Sequence, residues 1–196
     1  MSTVYTIGHS SHTFPAFAAL LAAYKIEVVV DTRSAPYSKR VPQFDRETLR
    51  KDLLAAGIKY LFLGSELGGR PKSDDFYDDS GRVLYGKRTA SPAFLAGIER
   101  LERGMAQFRV ALMCGEENPA HCHRRLLVGR VLVERNHELL HIRGTGRLDT
   151  EAQIAEESRK LLITDTPALF AELDEDQWKS TASVLPKKAR ANSSAR

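Results

Sequence analysis

The sequence predicts an α/β protein: a single three-layer domain with a mainly parallel five-stranded sheet, helices on both faces, and a Rossmann-like plan. Two observations lead there. Short apolar segments alternate with helix-like segments along most of the 196 residues, the pattern of βα units feeding a parallel sheet. The segment "IEVVVDTR" (26–33) is β-branched and almost continuously apolar, as a strand buried on both faces must be. There is no internal repeat and no sign of a second domain, so residues 1–176 are read as one unit.

Each element follows in order. "TVYTIGHS" (3–10) reads as a short buried strand ending in a Gly-His-Ser turn. "TFPAFAALLAAYK" (13–25) has the spacing of a helix, with Thr13 as N-cap and Pro15 in the first turn. Strand 26–33 comes next, then the Pro-interrupted loop 34–44. "DRETLRKDLLAAG" (45–57) is amphipathic, capped by Asp45 and ended by Gly57. "IKYLFLG" (58–64) is the third strand, followed by the glycine loop "SELGGRP". Residues 70–90 are polar and read as a long excursion, of the kind that serves as a lid or stays disordered. "SPAFLAGIERLERGM" (91–105) is a helix capped by Ser91 with Pro92 at its first position. Strand 108–114, helix 121–136, strand 137–143 and a charged helix at 150–162 complete the series, with a further helical turn expected within 165–176.

Composition narrows the class. A 42% hydrophobic and 28% charged chain is ordinary for a soluble globular protein. No apolar run reaches the ~18 residues of a membrane span, and no signal peptide is evident. Two cysteines do not make a disulfide scaffold, which points to a reducing cytoplasm. Net charge is +4, yet residues 177–196 carry five basic and no acidic side chains, so the rest of the chain stands at about −1. That tail reads as basic and disordered, with a capacity for weak nucleic-acid contact.

The chemistry-bearing residues fall at strand ends. His9 and Ser10 follow the first strand, and Asp31 and Arg33 the second. Glu66, Gly68, Gly69 and Arg70 follow the third, and Cys114, Glu116 and Glu117 the fourth. The fifth ends near His141 and Arg143. In a parallel sheet these ends share one edge, where ligands bind. The stretch "MCGEENPAHCHRR" (113–125) adds a helix start at about 119–122 that places Cys122, His123, Arg124 and Arg125 in its first turn. Such a start attracts anions and lowers a thiol pKa.

These blocks resemble the bacterial and archaeal family called domain of unknown function 488 (DUF488). The resemblance is carried by "YTIGHS" at 5–10, "VVDTRSAPYSKRVPQF" at 29–44, "AAGIKYLFLGSELGG" at 55–69 and "MCGEENPAHCHR" at 113–124, within residues 4–150. Thr32 and Gly115 stand where family members commonly have Val and Ala, and neither change removes a reactive group. The resemblance implies that the blocks belong together and brings no activity with it.

The functional expectation is a small cytoplasmic enzyme acting on an anionic substrate: a nucleotide, a nucleic-acid end or a phosphorylated metabolite. Cys114 or Cys122 would be the nucleophile. Glu116 and His9 would handle protons, and Arg33 and Arg124 would clamp charge. Ser10, Asp31, Glu66, Gly68, Gly69 and His123 would line the substrate site. The alternative is a non-catalytic nucleotide or nucleic-acid binding module with structural cysteines. A third reading is a metal- or redox-dependent protein using the Cys/His cluster. No cofactor is expected. The spacing C-x7-C-H matches no standard zinc pattern, and on a helix Cys122 and His123 would point about 100° apart. The expected partner is an anionic small molecule or nucleic acid, with no membrane.

Overall fold

The computed structural model describes residues 1–165 and 178–184. All five predicted strands form: β1 (Thr3–Gly8), β2 (Val28–Asp31), β3 (Lys59–Phe62), β4 (Val110–Cys114) and β5 (Glu138–Ile142). A sixth, β6 (Leu148–Thr150), pairs antiparallel with β5 and corrects the five-strand count. At three residues it is too short to show a periodicity in the sequence. The sheet order is β3-β2-β4-β1-β5-β6, parallel throughout except at that edge. It departs from the 3-2-1-4-5-6 order of the dinucleotide-binding fold because β4 lies between β2 and β1.

Helices cover both faces. On one, α1 (Phe14–Ala23) and α2 (Arg46–Ala55) bury Phe17, Leu21, Leu49 and Leu53 against Ala111 and Met113 of β4. On the other, α3 (Gly64–Leu67), α4 (Tyr85–Thr89), α5 (Pro92–Met105) and the helical run after residue 123 bury Leu67, Tyr85, Phe94, Ile98, Leu127 and Leu132 against Val110 and Leu112. Strand side chains alternate between faces, so Cys114 shares the face of Val110 and Leu112.

Thr13 and Ser91 cap α1 and α5 as expected, accepting bonds from Ala16 N and Phe94 N at 3.4 Å. Asp45 occupies the N-cap position of α2, but its carboxylate accepts from Ser38 N at 2.8 Å instead of capping the helix. It therefore ties down the 34–44 loop beside the site.

Two corrections bear on function. The expected helix start at 119–122 is a 3-10 turn, Pro119–His121, after which Cys122 is extended (φ −100°, ψ 139°). A π-helical segment, Arg124–Gly129, then leads into α6 (Arg130–Glu134). π segments are rare and cluster at functional sites. The second concerns the tail. Residues 178–184 pack on the excursion between 70 and 90, where α4 (Tyr85–Thr89) sits behind a Tyr77–Val83 bridge. Lys179 bridges Leu84, Ser180 N donates to Val83 O, and Trp178 Nε1 donates to Leu126 O at 2.7 Å. The disordered-tail expectation thus does not hold for 178–184. A single Trp gives this piece an apolar anchor that the average composition of the tail conceals. The rest of 177–196 and the turn expected within 166–176 lie outside the described residues. The last helix, α7, covers Glu151–Asp165.

Candidate functional site

The sheet register sets the site. Gly8 lies opposite Cys114, and Asp31 opposite Met113, so β1, β2 and β4 end at one level. His9 N then donates to Cys114 O at 2.9 Å and Ser10 N to Gly115 O at 3.0 Å. The turn after Cys114 folds so closely over β1 that a Cβ on Gly8 would sit 1.9 Å from Glu116 O. Ser10 takes a left-handed conformation (φ 46°), unusual for a residue with a side chain.

A cavity of about 430 Å³ opens on this edge. His9, Arg33, Cys114 and Glu116 line it from the strand ends, Gly69 and Arg70 from the loop after β3, and Tyr85, His121 and Ser180–Val184 from the far side. Its size suits a small-molecule site.

Three reactive atoms meet at its floor. His123 Nδ1 lies 3.7 Å from Cys114 Sγ and 3.8 Å from Cys122 Sγ. His123 Nε2 is 2.9 Å from Thr32 O. A carbonyl can only accept, so Nε2 carries a proton and Nδ1 faces the sulfurs. The Cys122 thiol is hydrogen-bonded to Cys114 and holds the latter well below its ordinary pKa; burial opposes this, and His123 and Arg124 reinforce it. Burial pushes the Cys122 thiol well up, and its bond to Cys114 adds to that. For His123, burial disfavours the imidazolium, but the Cys114 thiolate outweighs it and the pKa rises. These directions favour negative charge on Cys114, a proton on Cys122 and the charged form of His123. Cys114 borders the cavity at 7% exposure, while Cys122 lies behind it at 1%.

The extended backbone at Cys122 removes the 100° divergence expected of a helix. The Cys114, Cys122 and His123 donor atoms all lie within 4.8 Å of one another. If both sulfurs were deprotonated, two thiolates and an imidazole oriented by a backbone carbonyl would be the donor set that zinc or iron takes.

Gly69 backs the histidine. A Cβ there would fall 2.6 Å from His123 Cγ. Gly69→Ala is expected to push the imidazole off the two sulfurs and to slow Cys114 alkylation near neutral pH, with a far smaller change in thermal midpoint. Thiol labelling alongside a melt checks it.

His9 and Arg33 form a second assembly. Arg33 makes a two-pronged ion pair with the fully buried Asp31 (2.7 and 2.9 Å) and donates to Phe44 O. Its Nη1 donates to His9 Nε2 at 3.1 Å, while His9 Nδ1 donates to Ser10 O. Burial lowers the His9 pKa, the Ser10 bond opposes that, and Arg33 adds to it. His9 is therefore a neutral ring, stacked on Phe44 at 4.3 Å, that holds Arg33 in place. The guanidinium keeps one Nη1 hydrogen without a protein acceptor among the described residues. Glu116 is exposed at the cavity edge, with no ion pair among the described residues. Ser183 Oγ, also at the cavity, is buried and lacks a partner among them.

Other expected residues lie elsewhere. Arg124 turns inward at 1% exposure and donates to Glu116 O, Glu117 O and Thr6 Oγ1, so it holds the turn and not a substrate. Arg125 pairs with Glu151, and His141 with Thr6 and Glu151. Asp31 is covered by Arg33 and Tyr60. Glu66 lies beside α5 with its carbonyl taken by Arg88, and Gly68 packs on Ser34. Neither borders the cavity. Ser10 contributes backbone alone.

Glu117 is a strut between the β4 turn and the β5–β6 connection. Its two oxygens accept from Arg143 and Gly144 N. The Arg143 bonds hold its pKa down to about 2, against an ordinary 4.5. A lowered carboxylate pKa stabilises the fold fully above the ordinary value, and that stability is lost as pH falls toward 2. Melting temperature should therefore drop across this window, and Glu117→Gln should flatten part of the drop.

Sequence reasoning missed Tyr85 and the 178–184 segment. Trp178 was the signal for the last. It meets Tyr85 edge-on at 6.2 Å, and Arg130 stacks on it at 4.4 Å. Trp178→Ala is expected to free this wall and raise the alkylation rate of Cys114 several-fold at small cost in stability, measured by mass spectrometry of labelled protein.

No helix among the described residues is long and apolar enough to cross a membrane. No curated protein and no solved structure matches the chain significantly. A family model does match, over residues 13–131, a span that contains three of the four sequence blocks and the whole Cys114–His123 cluster while leaving "YTIGHS" just outside it. Covering more than half of the chain, that match makes this protein a member of the DUF488 family, the domain of unknown function 488.

Proposed function

We propose that the protein is a small enzyme that uses the Cys114 thiolate as a nucleophile on an anionic small molecule bound in the cavity. The observation that carries this reading is the placement of Cys114 Sγ. It sits at the cavity floor, 3.7 Å from His123 Nδ1 and within 4.8 Å of the Cys122 sulfur behind it. A thiolate is the nucleophilic form, and a thiol depressed by a histidine and a neighbouring donor is the arrangement that supplies it at neutral pH. The His123 imidazolium can return a proton to the leaving group. Glu116 is the carboxylate free to manage a proton at the cavity edge. Arg70, His121 and the spare Nη1 hydrogen of Arg33 favour an anion. The free thiols of both cysteines suit a reducing cytoplasm.

A direct test compares two alkylating agents of similar size at one pH. Ordinary thiols react faster with neutral iodoacetamide than with anionic iodoacetate. Cys114 should reverse that preference, and high salt should weaken the reversal. A preference for the neutral reagent would remove the anionic-substrate part of the proposal.

The mutual approach of the three donor atoms favours one second reading, in which Cys114, Cys122 and His123 would hold a zinc or iron ion, which would supply Lewis-acid chemistry at the cavity. Elemental analysis of untagged protein separates the two. Stoichiometric metal that shields both thiols from labelling supports the second reading, and reactive thiols in metal-free, folded protein support the first.

A further inference from the structure

Cys122 has no role in the proposal above beyond lending a hydrogen bond, yet its placement is specific. It is 1% exposed and does not border the cavity, whereas Cys114 does. Cys122 therefore lies one layer behind Cys114 as seen from the cavity. Its extended backbone, between a 3-10 turn and the π segment, brings its sulfur up to Cys114 and to within 3.8 Å of His123 Nδ1. One imidazole nitrogen thus serves both sulfurs.

We propose that Cys114 and Cys122 are an attacking and resolving pair, and that the protein reduces a small disulfide bearing acidic groups. This rests on Cys114 being the nucleophile. The Cys114 thiolate attacks one sulfur of R–S–S–R. A Cys114–S–S–R bond forms, the first RS⁻ leaves, and His123 gives it a proton. The neutral Nδ1 then accepts the Cys122 thiol proton. The Cys122 thiolate attacks Cys114 Sγ, the bond to the R-bearing sulfur breaks, and the second RS⁻ leaves to be protonated from water. The protein dithiol loses two electrons to the substrate disulfide, which becomes two thiols; an external dithiol reductant resets the enzyme. The placement of the two sulfurs sets this order of events, with Cys114 at the cavity and Cys122 behind it. Arg70, His121 and Arg33 at the cavity select the acidic substituents.

The probe is dithiobis(nitrobenzoate), a disulfide with two carboxylates and a coloured leaving thiolate, applied in excess to the reduced, chelator-washed full chain. The expected result is release of two coloured equivalents per chain, the second following the first without further reagent order. The protein should end two hydrogens lighter with no adduct. Cys122→Ser should release one equivalent and keep a Cys114 adduct, and Cys122→Ala serves if the serine variant misfolds. One equivalent with a stable adduct on the native chain, or two adducts, would overturn the resolving role while leaving Cys114 as nucleophile. A first release no faster than that of a free model thiol would instead overturn the nucleophile reading itself.

Discussion

Replacing Arg124 with Leu is expected to lower the thermal midpoint by on the order of 10 °C. The guanidinium is 1% exposed and holds two successive carbonyls, Glu116 O and Glu117 O at 2.6 Å, with Thr6 Oγ1 as a third acceptor. Leucine fills much of the volume but leaves those carbonyls without donors inside the protein. Leaving a buried acceptor without its donor costs about 1–3 kcal/mol, so two carbonyls left open cost about 2–6 kcal/mol. In a chain of this size each kcal/mol shifts the midpoint by roughly 2–4 °C. Calorimetry or circular dichroism melts measure this. Arg124→Lys keeps the charge and loses the fork, so it should fall between the two. A shift of only a degree or two for Arg124→Leu would return this arginine to the pool of candidate substrate ligands.

Replacing His123 with Ala is expected to have the largest effect on reactivity, slowing Cys114 alkylation at pH 6.5 several-fold, because losing the imidazolium raises the Cys114 midpoint and shrinks its thiolate fraction there. The hydrogen bond from Cys122 is the main support of the thiolate and survives the change, so the loss is partial. His123→Gln, which can still donate toward sulfur but carries no charge, should recover part of the rate. The thermal midpoint should also move, because Thr32 O loses the Nε2 donor. An unchanged pH profile in His123→Ala would mean that the imidazole does not charge.

Much of the fold can be read from the residues. The alternation of apolar and helical segments gave the parallel core because β1 to β4 are runs of four to six residues, each with a helical segment before the next strand. The β6 strand could not be read, since Leu148–Thr150 is too short to show a periodicity and forms by antiparallel pairing with β5. For the site, the rule that strand ends carry ligand residues located Cys114, His9 and Arg33. It could not say which polar side chains turn back into the protein. Arg124 and Arg125 look alike in sequence beside Cys122, yet both are held by protein acceptors, because the segment after Cys122 is π-helical and directs them toward the β1–β5 side and α7. Likewise Cys122 and His123 diverge on an ideal helix and converge here, because Cys122 is extended. Local conformation at that one residue decides whether the cluster exists.

The pH dependence of Cys114 alkylation in metal-free protein tests the central claim most directly. Iodoacetamide labelling of the Cys122→Ser variant and of the native chain, followed by peptide mass analysis, isolates the Cys114 rate. The account predicts a rate that has already levelled off by about pH 7, with its midpoint well below the ordinary thiol value of about 8.5, and a lower plateau reactivity than a fully basic thiolate would show. A rate that keeps climbing through pH 8–9 like that of a free thiol would contradict it.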